Sequence, residues 1–146
     1  MGLSAVLIVD DESRIRELLA RWLVPAGYTV HEADSAESAL ALLAEHAFAV
    51  ALCDVQMPGK GGCWLIDRLR EQVPATAIVL ATADDAVPPF VSLRGGVVDY
   101  LVKPFARERV LDAVARAIEW HRSTATRGLP AVPASDPLEQ WIRPGH

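Results

Sequence analysis

Phe48-Ala49-Val50-Ala51-Leu52-Cys53-Asp54-Val55-Gln56-Met57-Pro58-Gly59 decides the fold of this chain, because an apolar run ends there on a carboxylate and then breaks at Pro-Gly. Desolvating an unpaired carboxylate costs several kcal/mol or more. Asp54 therefore needs partners. Two other apolar runs end on charge in the same way. Val6 to Val9 is followed by Asp10-Asp11-Glu12, and Tyr100 to Val102 is followed by Lys103-Pro104. Three charged strand ends suggest one site.

Around these runs the chain alternates in kind. Ile15, Leu18, Leu19 and Trp22 recur at helical spacing after the first run, until Pro25 and Gly27 end the pattern. Tyr28 to Glu32 reads as a second strand. Asp34 with Glu37 three residues later resembles a capping box for a helix that carries Leu40 and Leu43. Phe48 to Cys53 is the third strand, and a glycine-rich loop leads to a helix with Leu65, Leu69 and Val73. Pro74 stops that helix before a fourth strand, Ala77 to Ala81. A poorer helix spans Val87 to Arg94. The fifth strand is Val97 to Val102, and Val110, Val114, Ile118 and His121 mark a last helix. Strands separated by helices call for a parallel sheet covered on both faces, because parallel neighbours need crossovers. The fold class is α/β, a doubly wound five-stranded parallel sheet. Ligands of such sheets bind beyond the carboxyl ends of the strands, where strand order reverses. Asp10 and Asp11, Asp54, Thr82 and Lys103 all fall at that edge.

With 146 residues, 51% of them hydrophobic, the chain is long enough for one sizeable core. A net charge of −5 argues against direct nucleic-acid binding, which calls for a basic face. Two cysteines, Cys53 and Cys63, build neither a disulfide framework nor a four-ligand zinc site, which fits a reducing compartment. Cys53 reads as a small buried hydrophobe. His31, His46, His121 and His146 show no ligand spacing. No basic segment precedes the first apolar stretch, and its acidic ending interrupts any signal peptide or membrane span. A cytoplasmic protein without membrane contact is expected.

The chemistry follows from crowding. Carboxylates held together repel one another and have raised pKa values unless a cation relieves them. An oxygen-only ligand set favours a hard ion, and Mg²⁺ takes one or two carboxylates while leaving room for a phosphate. In phosphoryl transfer the useful groups are a metal, a lysine and a hydroxyl around the equatorial oxygens, with a carboxylate as nucleophile. Lys103, Thr82 and Asp54 suit those parts.

From Ala5 to His121 the chain resembles the receiver domain of bacterial two-component response regulators. The resemblance rests on Val9-Asp10-Asp11, Asp54-x-x-Met57-Pro58-Gly59, Thr82-Ala83 and Asp99-Tyr-Leu-Val-Lys-Pro-Phe105, in the family's order. It implies a flavodoxin-like fold with strand order 2-1-3-4-5. It also implies that Asp54 accepts a phosphoryl group from a sensor histidine kinase or phosphotransfer protein. By the same resemblance Asp11, Asp54 and the Gln56 backbone carbonyl hold Mg²⁺, or Mn²⁺ in its place, with Asp10 acting mostly through water. Lys103 pairs with the acceptor, and Pro104 follows a cis peptide bond. Thr82 moves to bond the phosphoryl group while Tyr100 turns inward. Gln56 and Asp84 flank the attacking water. The protein is then a signalling phosphoacceptor rather than an enzyme, apart from its own phosphorylation and dephosphorylation.

Some features depart from the family pattern. Pro88-Pro89 fall where the helix of Val87 to Arg94 would begin, so it starts late or is distorted, which puts a standard homodimer in doubt. Gly61-Gly62-Cys63-Trp64 is unusual after Met-Pro-Gly. The receiver is expected over residues 1–122. Residues 123–146 read as a proline-rich linker or tail with a short helix at 137–143, started by Asp136-Pro137 and carrying Leu138, Trp141 and Ile142 on one face. No helix-turn-helix or catalytic output is visible, so the output is a domain beyond this chain or a separate target. Two competing readings are a small Mg²⁺-dependent phosphohydrolase of the haloacid dehalogenase type and a receiver-like scaffold that takes no phosphate. The first needs Asp-x-Asp on the first strand, whereas Asp10 is followed by Asp11 and Glu12, and Asp54 by Val55 and Gln56. The second is disfavoured by the complete residue set.

Overall fold

A central sheet with a helix layer on each face organises the computed structural model, which describes residues 4–56, 62–83 and 96–127. In chain order the elements are β1 (Ala5–Val9), α1 (Ser13–Leu23), β2 (Thr29–Ala33), α2 (Ala36–Glu45), β3 (Val50–Asp54), α3 (Gly62–Gln72), β4 (Ala77–Thr82), β5 (Val97–Val102) and α4 (Arg107–Arg127). All strand pairs are parallel, in the order β2-β1-β3-β4-β5, the order that the resemblance implied.

Burial explains why the central strands are apolar throughout. Every residue of β3 and β4 is buried, whereas the edge strands β2 and β5 have exposed positions. Alternate residues of each strand serve opposite layers. Leu7, Val9, Ala51, Cys53, Ile78 and Leu80 pack with Ala36 and Ala39 of α2 and Leu65, Ile66 and Leu69 of α3. Val6, Ile8, Val50, Leu52, Val79 and Ala81 pack with Leu19 and Leu23 of α1 and Val110 and Val114 of α4. The register slips between Ile78 and Val79, where β5 spends an extra residue, so Asp99 rather than Val98 faces Val79.

Three expectations meet a different arrangement. The cap of α2 is one residue later than Asp34/Glu37. Ser35, extended at φ −155°, accepts from the Ser38 N–H, and Ser38 Oγ accepts from the Ser35 N–H. Asp34 instead accepts from the Ser38 hydroxyl at 3.1 Å. The third strand takes in Asp54 itself, which pairs with Ala81. The last helix continues past residue 122 to Arg127. The helix expected at Val87 to Arg94, Asp84, and the tail helix at 137–143 lie outside the described residues.

Candidate functional site

Strand order reverses between β1 and β3, so the chain segments that leave their carboxyl ends diverge and open a crevice. Asp10 follows β1 and Asp54 ends β3, which places one carboxylate on each side of it. The same local device fixes both. Asp10 Oδ1 accepts from the Glu12 N–H at 2.9 Å, and Asp54 Oδ1 from the Gln56 N–H at 2.9 Å. An aspartate that bonds its own backbone two residues on turns the chain out of the strand.

Both acids are buried, at 2% and 3% exposure, and one cation serves them. Lys103 Nζ stands 2.9 Å from Asp10 Oδ2, 3.3 Å from Asp54 Oδ2 and 3.7 Å from Glu12 Oε1. The Lys103–Pro104 peptide bond is cis. Burial pushes the Asp54 carboxyl above its ordinary value. The nearby Asp10 charge adds to the rise, and the Gln56 N–H and Lys103 only partly offset it. Lys103 moves up as well: burial alone would lower it, but its bonds to Asp10 and Asp54 outweigh that. A carboxylate that resists ionising and an ammonium that resists losing its proton are thus held against each other.

Among the described residues, Asp10, Asp11 and Glu12 form a group of three carboxylates with an oxygen of each within 4.8 Å of the others. Asp11 and Glu12 are exposed. Asp54 is joined to this group through Lys103, which it shares with Asp10. Glu12 was not singled out as a site residue from the sequence, although it is the third acid of the run. Thr82 is buried at the end of β4, and its carbonyl accepts from the Lys103 N–H at 2.8 Å. Tyr100 on β5 is 40% exposed. The Gln56 side chain reaches from the end of β3 to the end of β4, its Oε1 accepting from the Ala83 N–H at 3.4 Å.

Two clusters away from the crevice have no signal in the spacing of the sequence or only a weak one. Asp99 is gripped by Arg109, at 2.7 and 2.8 Å, and by Arg116, and Arg109 also donates to the Tyr100 carbonyl at 3.0 Å. His31 of β2, His46 after α2 and Phe48 stack together, with the imidazole centroids 4.4 Å apart.

Comparison with known proteins decides the family. The model of the response regulator receiver domain matches residues 6–115. The chain belongs to the response regulator receiver family. It is 43% identical over 112 residues to the response regulator protein FleR of Pseudomonas aeruginosa, a match that covers 76% of this chain and 24% of FleR. It is 33% identical over 119 residues to the transcriptional regulatory protein SrrA of Staphylococcus aureus, covering 82% of this chain and 49% of SrrA. The chain therefore spans about a quarter to a half of the length of these curated relatives. Among solved structures, the response regulator TrrA of Thermotoga maritima, in complex with Mg²⁺-BeF, superposes with a TM-score of 0.71. It is 28% identical, and the match covers 79% of this chain and 99% of TrrA. As a receiver domain the chain is a signalling module. No helix among the described residues is long and apolar enough to cross a membrane.

Proposed function

We propose that Asp54 accepts a phosphoryl group from a histidine kinase or phosphotransfer protein, in a Mg²⁺-dependent reaction that the receiver itself assists. The observation that carries this reading is the buried Asp54 carboxylate, held at a strand end by the Gln56 N–H and by a lysine shared with Asp10. In the transfer, an Asp54 oxygen attacks phosphorus, the bond from phosphorus to the donor imidazole nitrogen breaks with its electron pair going to that nitrogen, and the ring, protonated on its other nitrogen, leaves as neutral imidazole. Lys103 lies where it can bond the equatorial oxygens that gather charge.

The donor set suits a hard divalent ion. Asp10, Asp11 and Glu12 bring only oxygen ligands within 4.8 Å of one another, beside a second buried carboxylate. Asp11 and Asp54, with the Gln56 carbonyl, would hold Mg²⁺, or Mn²⁺ in its place. Asp10 is largely committed to Glu12 and Lys103 and would act through water. The ion supplies charge neutralisation between acceptor and phosphoryl oxygens.

Thr82 and Tyr100 serve as the switch, the first by bonding the phosphoryl group and the second by moving inward from its present exposed position. Gln56, already spanning Asp54 and Ala83, is placed to govern hydrolysis of the acyl phosphate. The output is a further domain or a separate target, with the chain acting in the cytoplasm and homodimerisation as one means of signalling.

Incubation with acetyl phosphate and Mg²⁺, followed by intact-protein mass spectrometry, tests the assignment. The wild type is expected to gain one phosphoryl group and Asp54→Asn none. Undiminished labelling of Asp54→Asn removes Asp54 from the role, and a wild type that never labels favours the scaffold reading.

A further inference from the structure

Arg16 is a cation beside the crevice that the proposed transfer does not use. Its Nη1 donates to the Asp10 carbonyl at 2.6 Å, and its Nε lies 3.4 Å from Glu32 Oε1 near the end of β2. The side chain is only 17% exposed, so its fork is held rather than waving in solvent. The carbonyl it grips belongs to the peptide unit that joins Asp10 to Asp11. Fixing that oxygen fixes the plane of the peptide and so limits the directions in which the Asp11 side chain can leave the backbone.

The rest of Asp10 is equally committed. Its N–H donates to the Ala33 carbonyl at 3.1 Å, Oδ1 accepts from Glu12 and Oδ2 from Lys103. Arg16 thus completes a residue whose polar groups are all engaged, and Glu32 ties the arrangement to β2, one residue before Ala33. We propose that Arg16, anchored by Glu32, is a positioning residue that orients the Asp10–Asp11 peptide and so sets the acidic group for a divalent cation. This rests on the Mg²⁺ reading above.

Positioning and simple charge predict opposite results. A cation near a cation site repels the ion, so on charge alone Arg16→Gln binds Mg²⁺ more tightly and Arg16→Lys binds it unchanged. If Arg16 positions the acids, both variants bind more weakly. Lysine keeps the charge but is a compact donor on a flexible stem, without the rigid planar fork whose separate nitrogens, Nη1 and Nε, reach the Asp10 carbonyl and Glu32.

The test is calorimetric titration of the full 146-residue chain with MgCl₂ alone, in high salt to screen direct charge effects, with melting temperatures recorded for each variant. Arg16→Lys and Arg16→Gln are expected to weaken Mg²⁺ roughly tenfold, as loss of a ligand's supporting partner typically does. An unchanged affinity for Arg16→Lys, or a tighter one for Arg16→Gln, overturns the proposal even if both melt earlier. Should the Arg16 variants not fold, Glu32→Gln takes their place, and no loss of affinity in it is equally fatal. A wild type that binds no Mg²⁺ defeats the metal reading itself, and the inference with it.

Discussion

Replacing Lys103 by methionine leaves the stem and removes the one ammonium between two buried carboxylates. Asp10 and Asp54 have side chains only 2% and 4% exposed, so water cannot stand in for the lost charge. Removing one partner of a buried pair typically costs about 3–5 kcal/mol. Proton uptake caps the loss: protonating a carboxylate of ordinary pKa near 3.9 costs about 4 kcal/mol at pH 7 and about 1.5 kcal/mol at pH 5. Lys103→Met is therefore expected to lose about 3–4 kcal/mol at pH 7 in urea denaturation with EDTA present, and roughly half of that or less at pH 5. The sign follows from linkage. Asp54 already titrates above its ordinary value, and losing Lys103 removes a cause that lowers it, so in the variant stability is fully present below the unfolded pKa and is lost as pH rises through the folded one. Asp54→Asn in the Lys103→Met background should return much of the deficit, since it deletes the charge that lacks a partner. A loss below about 1 kcal/mol that is the same at both pH values refutes the shared-lysine account.

Asp99 titrates in the other direction. Burial would raise it, but the Arg109 fork, the Tyr100 N–H and Arg116 hold it below the usual carboxylate range. Asp99→Asn should cost about 1 kcal/mol near neutral pH, a modest figure because both arginines are substantially exposed. That difference is present above the unfolded pKa and should fade as pH falls through the lower folded value; urea titrations that show a constant difference down to about pH 3 contradict it. Cys53, wholly buried beside Asp54, has its thiol pushed up to about 12. Iodoacetamide should leave Cys53 unmodified in the native protein and label it in denaturant, as peptide mass spectrometry reads; prompt native labelling contradicts its burial.

The framework of the site was legible because it is built from breaks in a simple rule. Asp54 and Lys103 are charges that end apolar runs, and a parallel sheet sends all such ends to one edge. The α2 cap was misplaced because Asp34-x-x-Glu37 and Ser35-x-x-Ser38 overlap one residue apart, and only the extended backbone at Ser35 decides between them. Arg16 escaped notice for a different reason. Its nearer partner is a backbone oxygen, and a carbonyl has no letter in the sequence; the other, Glu32, is on β2, sixteen residues away. His31 and His46 meet because an edge strand and a helix end converge, which no spacing encodes. Arg109 and Arg116 were within reach of sequence reasoning: seven residues apart on one helix, they share the face that grips Asp99.

The contacts also bound how the proposed switch can work. A swing from mostly inactive to mostly active needs about 5.5 kcal/mol of preference for the active state. A hydrogen bond to a charged group contributes about 1.5–3 kcal/mol, so at least two such bonds must form that the resting state lacks. A phosphoryl oxygen that took the Ala83 N–H would gain only a difference, because Gln56 Oε1 already occupies it, though at a long 3.4 Å. Lys103 likewise begins from two bonds, to Asp10 and Asp54. The bond to Asp10 can survive phosphorylation, whereas the one to Asp54 must be exchanged for a phosphoryl oxygen that carries more charge. Because the Lys103 N–H is fastened to the Thr82 carbonyl at 2.8 Å, a shift of the lysine backbone pulls on the end of β4 as well as β5. In the proposed switch the threonine and the lysine would therefore move together, and the energy to move Tyr100 and its strand would come from both rather than from the hydroxyl alone.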